Sequence, residues 1–135
     1  VLAQKDKVKH ACQVLADAGV RASLFIDADL KQIEAAAECG APVIEIHTGH
    51  FADCASEDAR RAELTRIVKG VEAGVDAGLH VNAGHGLDYH NVTAIAEIGQ
   101  IRELNIGHAI IARAIFTGLS EAVSTMKRLM QEARQ

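Results

Sequence analysis

The stretch "PVIEIHTG", residues 42–49, decides the fold. Pro42 has no N–H to give to a ladder, so it suits the mouth of a strand. Successive strand side chains point to opposite faces, so Ile44 and Ile46 share one face and Glu45 and His47 the other. Three more segments read the same way. In "RASLFID" (21–27), Leu24 and Ile26 oppose Ser23, Phe25 and Asp27. In "LHVNAGHG" (79–86), Val81 opposes His80, Asn82 and Gly84. In "RELNIGHA" (102–109), Leu104 and Ile106 oppose Glu103, Asn105 and Gly107. Each strand has one aliphatic and one polar face. A doubly wound sheet, covered by helices on both sides, is apolar on both faces. A barrel with helices outside and a functional interior produces the one-sided pattern, so the sequence predicts an α/β chain of TIM (β/α)8 type.

Between the strands the hydrophobic period lengthens to that of a helix. Val8, Cys12 and Leu15 mark a first helical face closed by Gly19, and Leu30, Ile33 and Ala37 a second closed by Gly40. Ser56 is placed to cap a longer helix whose face runs through Leu64, Ile67, Val68, Val71 and Val75 to Gly78. "NVTAIAEIG" (91–99) gives a short helix, another starts near Ala109, and Val123, Met126 and Met130 mark a packed terminal one. Strands alternating with helices predict a parallel sheet with helical crossovers. A complete barrel takes roughly 250 residues. With four strands in 135 residues and no initiator Met, the chain is expected to be half of one barrel domain, spanning 1–135.

Composition excludes several function classes. The formal net charge is −4 and acids and bases are interspersed, which gives no support for nucleic-acid or membrane-surface binding. No apolar run approaches the ~20 residues of a membrane span. Cys12, Cys39 and Cys54 stand alone and are odd in number, so neither a disulfide framework nor a zinc knuckle is indicated; reduced cytoplasmic thiols are expected.

Barrel chemistry gathers at the C-terminal strand ends. These are Asp27-Ala28-Asp29, His47-Thr48-Gly49, Gly84-His85-Gly86 and Gly107-His108-Ala109. The last two belong to a doubled stencil, "NAGHG" (82–86) and "NIGHA" (105–109), set 23 residues apart. Small residues let backbone N–H groups approach phosphate oxygens at a helix N-terminus. The stencil therefore reads as a two-loop phosphate cradle braced by its Asn residues, or as two plain strand-to-helix turns. His85, between glycines, suits a general acid or base. Glu45 suits a stabiliser of a cationic intermediate, a partner orienting His47, or a structural ion-pair member. His47 and His50 form an H-x-x-H pair with no further ligand fixed by spacing, and no metal is expected. His10 and His90 read as solvated helix residues, and His80 lies at the closed end of its strand.

"SLFIDAD" (23–29), "IEIHTGHFAD" (44–53), "VNAGHGLDYHNV" (81–92) and "ELNIGHAIIARAIFTGL" (103–119) resemble the pyridoxine 5′-phosphate synthase family, from about Lys5 to the C-terminus. The resemblance implies a TIM barrel of which this chain supplies the last four β/α units and the C-terminal helix. It implies a cytoplasmic homo-oligomer, an octamer, with no cofactor and no metal. The implied reaction joins 3-amino-2-oxopropyl phosphate to 1-deoxy-D-xylulose 5-phosphate, releasing phosphate and water. His85 matches the proton donor, Glu45 the transition-state stabiliser, and Gly86, Gly107 and His108 contacts to the amino-ketone phosphate. The family's proton-accepting His and Glu, an Asn and an Asp-His pair, and the basic residues for the second phosphate have no counterpart here. Catalysis by this chain alone is therefore not expected. Two other readings compete: a non-catalytic phosphate-binding half-barrel that dimerises, and a metal-dependent barrel hydrolase using Asp27, His47 and His85.

Overall fold

The computed structural model describes residues 1–135. A 3-10 turn (Leu2–Gln4) leads into α1 (Lys5–Asp17), followed by β1 (Ser23–Ile26), α2 (Leu30–Glu38) and β2 (Val43–His47). A short α3 (Gly49–Ala52) precedes α4 (Glu57–Asp76), then come β3 (His80–Gly84), α5 (Val92–Ala96), β4 (Leu104–Asn105), α6 (His108–Thr117) and α7 (Leu119–Glu132). The four strands form one parallel sheet in the order β1-β2-β3-β4. Spatial order follows chain order, so there is no point at which the winding reverses, as there is in a doubly wound sheet. The result is an α/β fold compatible with a partial TIM-like barrel.

The predicted side-chain parity holds. Ile44, Ile46 and Val81 are buried with Ile33, Ile67 and Val71 in one aliphatic core, where α2 and α4 cover the sheet. Gly74 allows α4 to come this close, because a Cβ there would stand 2.8 Å from Val81 Cγ2 and 3.0 Å from an Ile44 methyl. On the opposite face, register places Phe25 beside Glu45 and Glu45 beside Asn82, and Gly84 between His47 and Asn105. Phe25 is 54% exposed there.

Helix ends follow the sequence signals. Ser56 Oγ accepts from Ala59 N at 3.3 Å, and Asp29 Oδ1 accepts from Gln32 N at 2.9 Å. Some expectations need correction. β4 is only two residues long, and the chain turns at Gly107 into α6. α3 breaks the β2-to-α4 connection that the sequence left as loop. His90 lies in a turn instead of a helix. Leu15, Val75 and Val123 fall at the exposed margins of their stripes, and the buried face of α7 is Ala122 with Met126. No helix is long and apolar enough to cross a membrane.

Candidate active site

Parallel strands bring all their C-terminal ends to one side of the sheet. A cleft of about 320 Å³ opens there, lined by Phe25 from β1, Glu45 from β2, His85, Gly86 and Leu87 after β3, and Asn105, Ile106, Gly107 and His108 around β4. All five residues singled out from the sequence, Glu45, His85, Gly86, Gly107 and His108, line it together.

Glu45 reaches the cleft through a gap that a glycine leaves open. A Cβ at Gly84 would collide with Glu45 Oε1 and stand 2.8 Å from the Asn105 carbonyl oxygen. Glu45 Oε2 accepts a hydrogen bond from Asn105 Nδ2 at 2.8 Å. Burial pushes the Glu45 carboxyl above the usual carboxylate range. The Asn105 bond opposes that shift, Glu103 adds to it and His85 counters it. Glu45 therefore pairs with Asn105 and does not orient His47, whose Nδ1 faces Asp27 instead.

His85 has φ +83°, and no other non-glycine residue has positive φ. A non-glycine residue held there costs on the order of 1 kcal/mol or more and persists only when its surroundings over-determine it. Two side chains do so. Buried Thr48, just past β2, has its hydroxyl 2.7 Å from the Gly84 carbonyl oxygen and 2.6 Å from that of His85, and its own N–H donates to Gly84 O at 2.8 Å. With a single proton, the hydroxyl donates to one carbonyl at a time. Asn91 Nδ2 donates to Gly86 O at 3.1 Å while Asn91 Oδ1 accepts from Asp88 N at 2.8 Å. The sequence reading missed both clamps. The Asp88–Asn91 spacing is the usable signal, since such side chains bond nearby backbone in turns. Thr48 offered none, as its partners lie about 36 residues away.

The second stencil copy is built differently. Gly107 is the N-cap of α6 and no side chain caps the helix. Gly107 O accepts from Ile110 N and Ile111 N, which leaves the first N–H groups of α6 open toward the cleft. Nor do the two Asn residues brace their loops. Asn82 Nδ2 points to Glu103 Oε1 at 3.4 Å, and Asn105 holds Glu45.

A second cluster stands beside the cleft. Asp27 Oδ1 lies 3.6 Å from His47 Nδ1 and 3.8 Å from His50 Nε2. The set Asp27, His47 and His85 posited for a metal hydrolase is not assembled, because His50 takes the third position. His85 lies obliquely against His47, with ring centroids 4.9 Å apart. Arg66 Nη2 is 3.9 Å from Asp27 Oδ1 and makes a two-pronged pair with Glu63. That pair holds the Glu63 carboxyl below its ordinary value and raises the Arg66 guanidinium.

A protein-family model described as pyridoxal phosphate biosynthesis protein PdxJ matches residues 1–132. The match includes every cleft residue, so the five positions read from the sequence and the loops that hold them all lie within one family's pattern. This chain belongs to the PdxJ family of pyridoxal phosphate biosynthesis proteins.

Proposed function

We propose that the chain is the last four β/α units of a TIM-barrel pyridoxine 5′-phosphate synthase, carrying its acid and one phosphate cradle. The supporting observation is that residues from separate strand ends, Glu45, His85, Gly86, Gly107 and His108, converge on one cleft. In this reading the phosphate of 3-amino-2-oxopropyl phosphate sits against Gly86, Gly107 and His108. The open N–H groups of α6 and its dipole favour the anion there.

Joining the amine of this substrate to the ketone of 1-deoxy-D-xylulose 5-phosphate expels water. The departing oxygen needs a proton, and the exposed imidazole of His85 is the donor at the mouth of the cleft. The C=N bond formed carries positive charge when protonated, and Glu45 offers a half-buried carboxylate below it. Asn105 keeps that carboxylate aimed into the cleft. The chain's two edge strands, β1 and β4, each lack a neighbour on one side. The remaining barrel strands would pair there and bring the proton acceptor and the second phosphate site. The assembled enzyme is a cytoplasmic homo-oligomer in this reading.

The test is His85→Asn in the assembled synthase. Loss of an acid typically lowers kcat by about 10²–10⁴-fold. The circular dichroism spectrum and melting temperature should stay at wild-type values, since the side chain is exposed. A variant that keeps its turnover would remove His85 from the chemistry.

A further inference from the structure

We propose that Asp27, His47 and His50 form a binding site for one late first-row divalent cation, with Zn²⁺ or Co²⁺ as probes, at the strand ends beside the cleft. One oxygen and two imidazole nitrogens come within 4.8 Å of one another. The two distances from Asp27 Oδ1, 3.6 and 3.8 Å, are too long for hydrogen bonds. They are close to the separation of about 3.3 Å between ligand atoms on a tetrahedral zinc with bonds near 2.0–2.1 Å. Contraction of these two pairs by a few tenths of an ångström, with the two imidazole nitrogens closing from within 4.8 Å of each other, would bring all three into coordination. None of the three side chains has a hydrogen-bond partner elsewhere in the chain: His47 Nδ1 and His50 Nε2 face only Asp27, and Arg66 approaches Asp27 no closer than 3.9 Å.

The ligands come from three elements: Asp27 just after β1, His47 at the end of β2, and His50 in α3. A cation would join them and tie the exposed His50 side of α3, whose Phe51 is already buried in the core, to the ends of β1 and β2. The Asp27, His47 and His50 side chains are 49%, 25% and 64% exposed, so an ion has an open entry and room for water in the remaining positions. Arg66 is the one opposing charge, and Glu63 already matches it with two hydrogen bonds. Two nitrogens and one carboxylate favour Zn²⁺, Co²⁺ or Ni²⁺ over Mg²⁺ and Ca²⁺, which prefer all-oxygen sets.

The experiment is titration of the purified metal-free protein with Co²⁺, followed by its d–d absorption, with Zn²⁺ as competitor. The expected result is one Co²⁺ per chain, displaced by Zn²⁺ and not by excess Mg²⁺. Asp27→Asn and His50→Ala should each weaken it by at least about tenfold, as loss of a direct ligand must exceed the 10–100-fold typical of outer-shell changes. His10→Ala and His90→Ala, at exposed histidines elsewhere, should leave it unchanged. Zn²⁺ should raise the melting temperature of the wild type and not of His50→Ala, because a ligand that binds only the folded state stabilises it. Absence of Co²⁺ uptake overturns the proposal. So does uptake that survives both ligand substitutions, or that disappears with His10→Ala or His90→Ala. His50 is exposed and none of its side-chain atoms is hydrogen-bonded, so its alanine variant should fold normally.

Discussion

The loops at 82–86 and 105–109 share a stencil and use it in opposite ways. The first is clamped from outside by Thr48 and Asn91, which hold His85 in a left-handed conformation. The second is an uncapped helix start on α6, a helix with no buried residue and with Ile111, Ile115 and Phe116 exposed. One loop is clamped and presents a side chain, while the other presents backbone. A repeated motif therefore reports a repeated position in the fold, at strand ends, without fixing a common task.

That contrast is broken most directly at the two histidines. Replacing His108 by Asn should raise KM for the amino-ketone phosphate by about tenfold and leave kcat within a few-fold, the pattern for binding shared by ground and transition states. The proposed acid, His85, should instead lose kcat. If both variants lose kcat equally with KM unchanged, the two loops do the same work and the comparison fails. The next effect is at Thr48, which is fully buried. Thr48→Val keeps the shape and removes the hydroxyl from two carbonyl oxygens, at a cost of about 1–3 kcal/mol. It should lower the melting temperature and lower kcat with it, since one of the two side-chain clamps on the His85 turn is then lost; chemical denaturation and turnover on the same sample check both.

The strand-face parity that separated a one-sided sheet from a doubly wound one was legible because it is local: neighbours alternate, and Ile44, Ile46 and Val81 went inward as read. The five cleft residues were legible because parallel strands put all their C-terminal ends together. What escaped the sequence depends on contacts across the sheet. The hold of Thr48 on the Gly84–His85 carbonyls is one such contact, Asn105 on Glu45 is another, and Asp27 meeting His50 is a third. Each joins separate β/α units, and no periodicity encodes which side chain will meet which. α3 escaped because four residues are too few to show a helical period.

The glycines give a finer test. Gly86 has φ +73°, and a Cβ there would stand 2.7 Å from that of Ala52. Gly107 has φ −114° and open space around it. Gly86→Ala should therefore cost about 1–2 kcal/mol of stability. Gly107→Ala should leave the melting temperature unchanged while raising KM, because a methyl group intrudes only where phosphate would approach. Equal melting temperatures for the two variants would contradict the assigned backbone geometries.

The smallest change in stability with a definite sign is expected at Glu45. Its carboxyl is raised above the ordinary value mainly by burial. A group raised on folding contributes its stability below the unfolded pKa and loses that contribution as pH rises through the folded one. Where the side chain is ionised it is therefore a net cost to the fold. Glu45→Gln removes the charge and keeps an oxygen to accept from Asn105 Nδ2. Its melting temperature should exceed that of the wild type at pH 7–8, and the gap should close as the pH falls through the carboxylate range. Turnover should fall by about 10²-fold in the same variant, because the carboxylate that costs stability is the one proposed to meet the cationic intermediate. A variant less stable than the wild type at pH 7 would mean that the bond from Asn105 outweighs burial, and that Glu45 serves the fold before it serves the site.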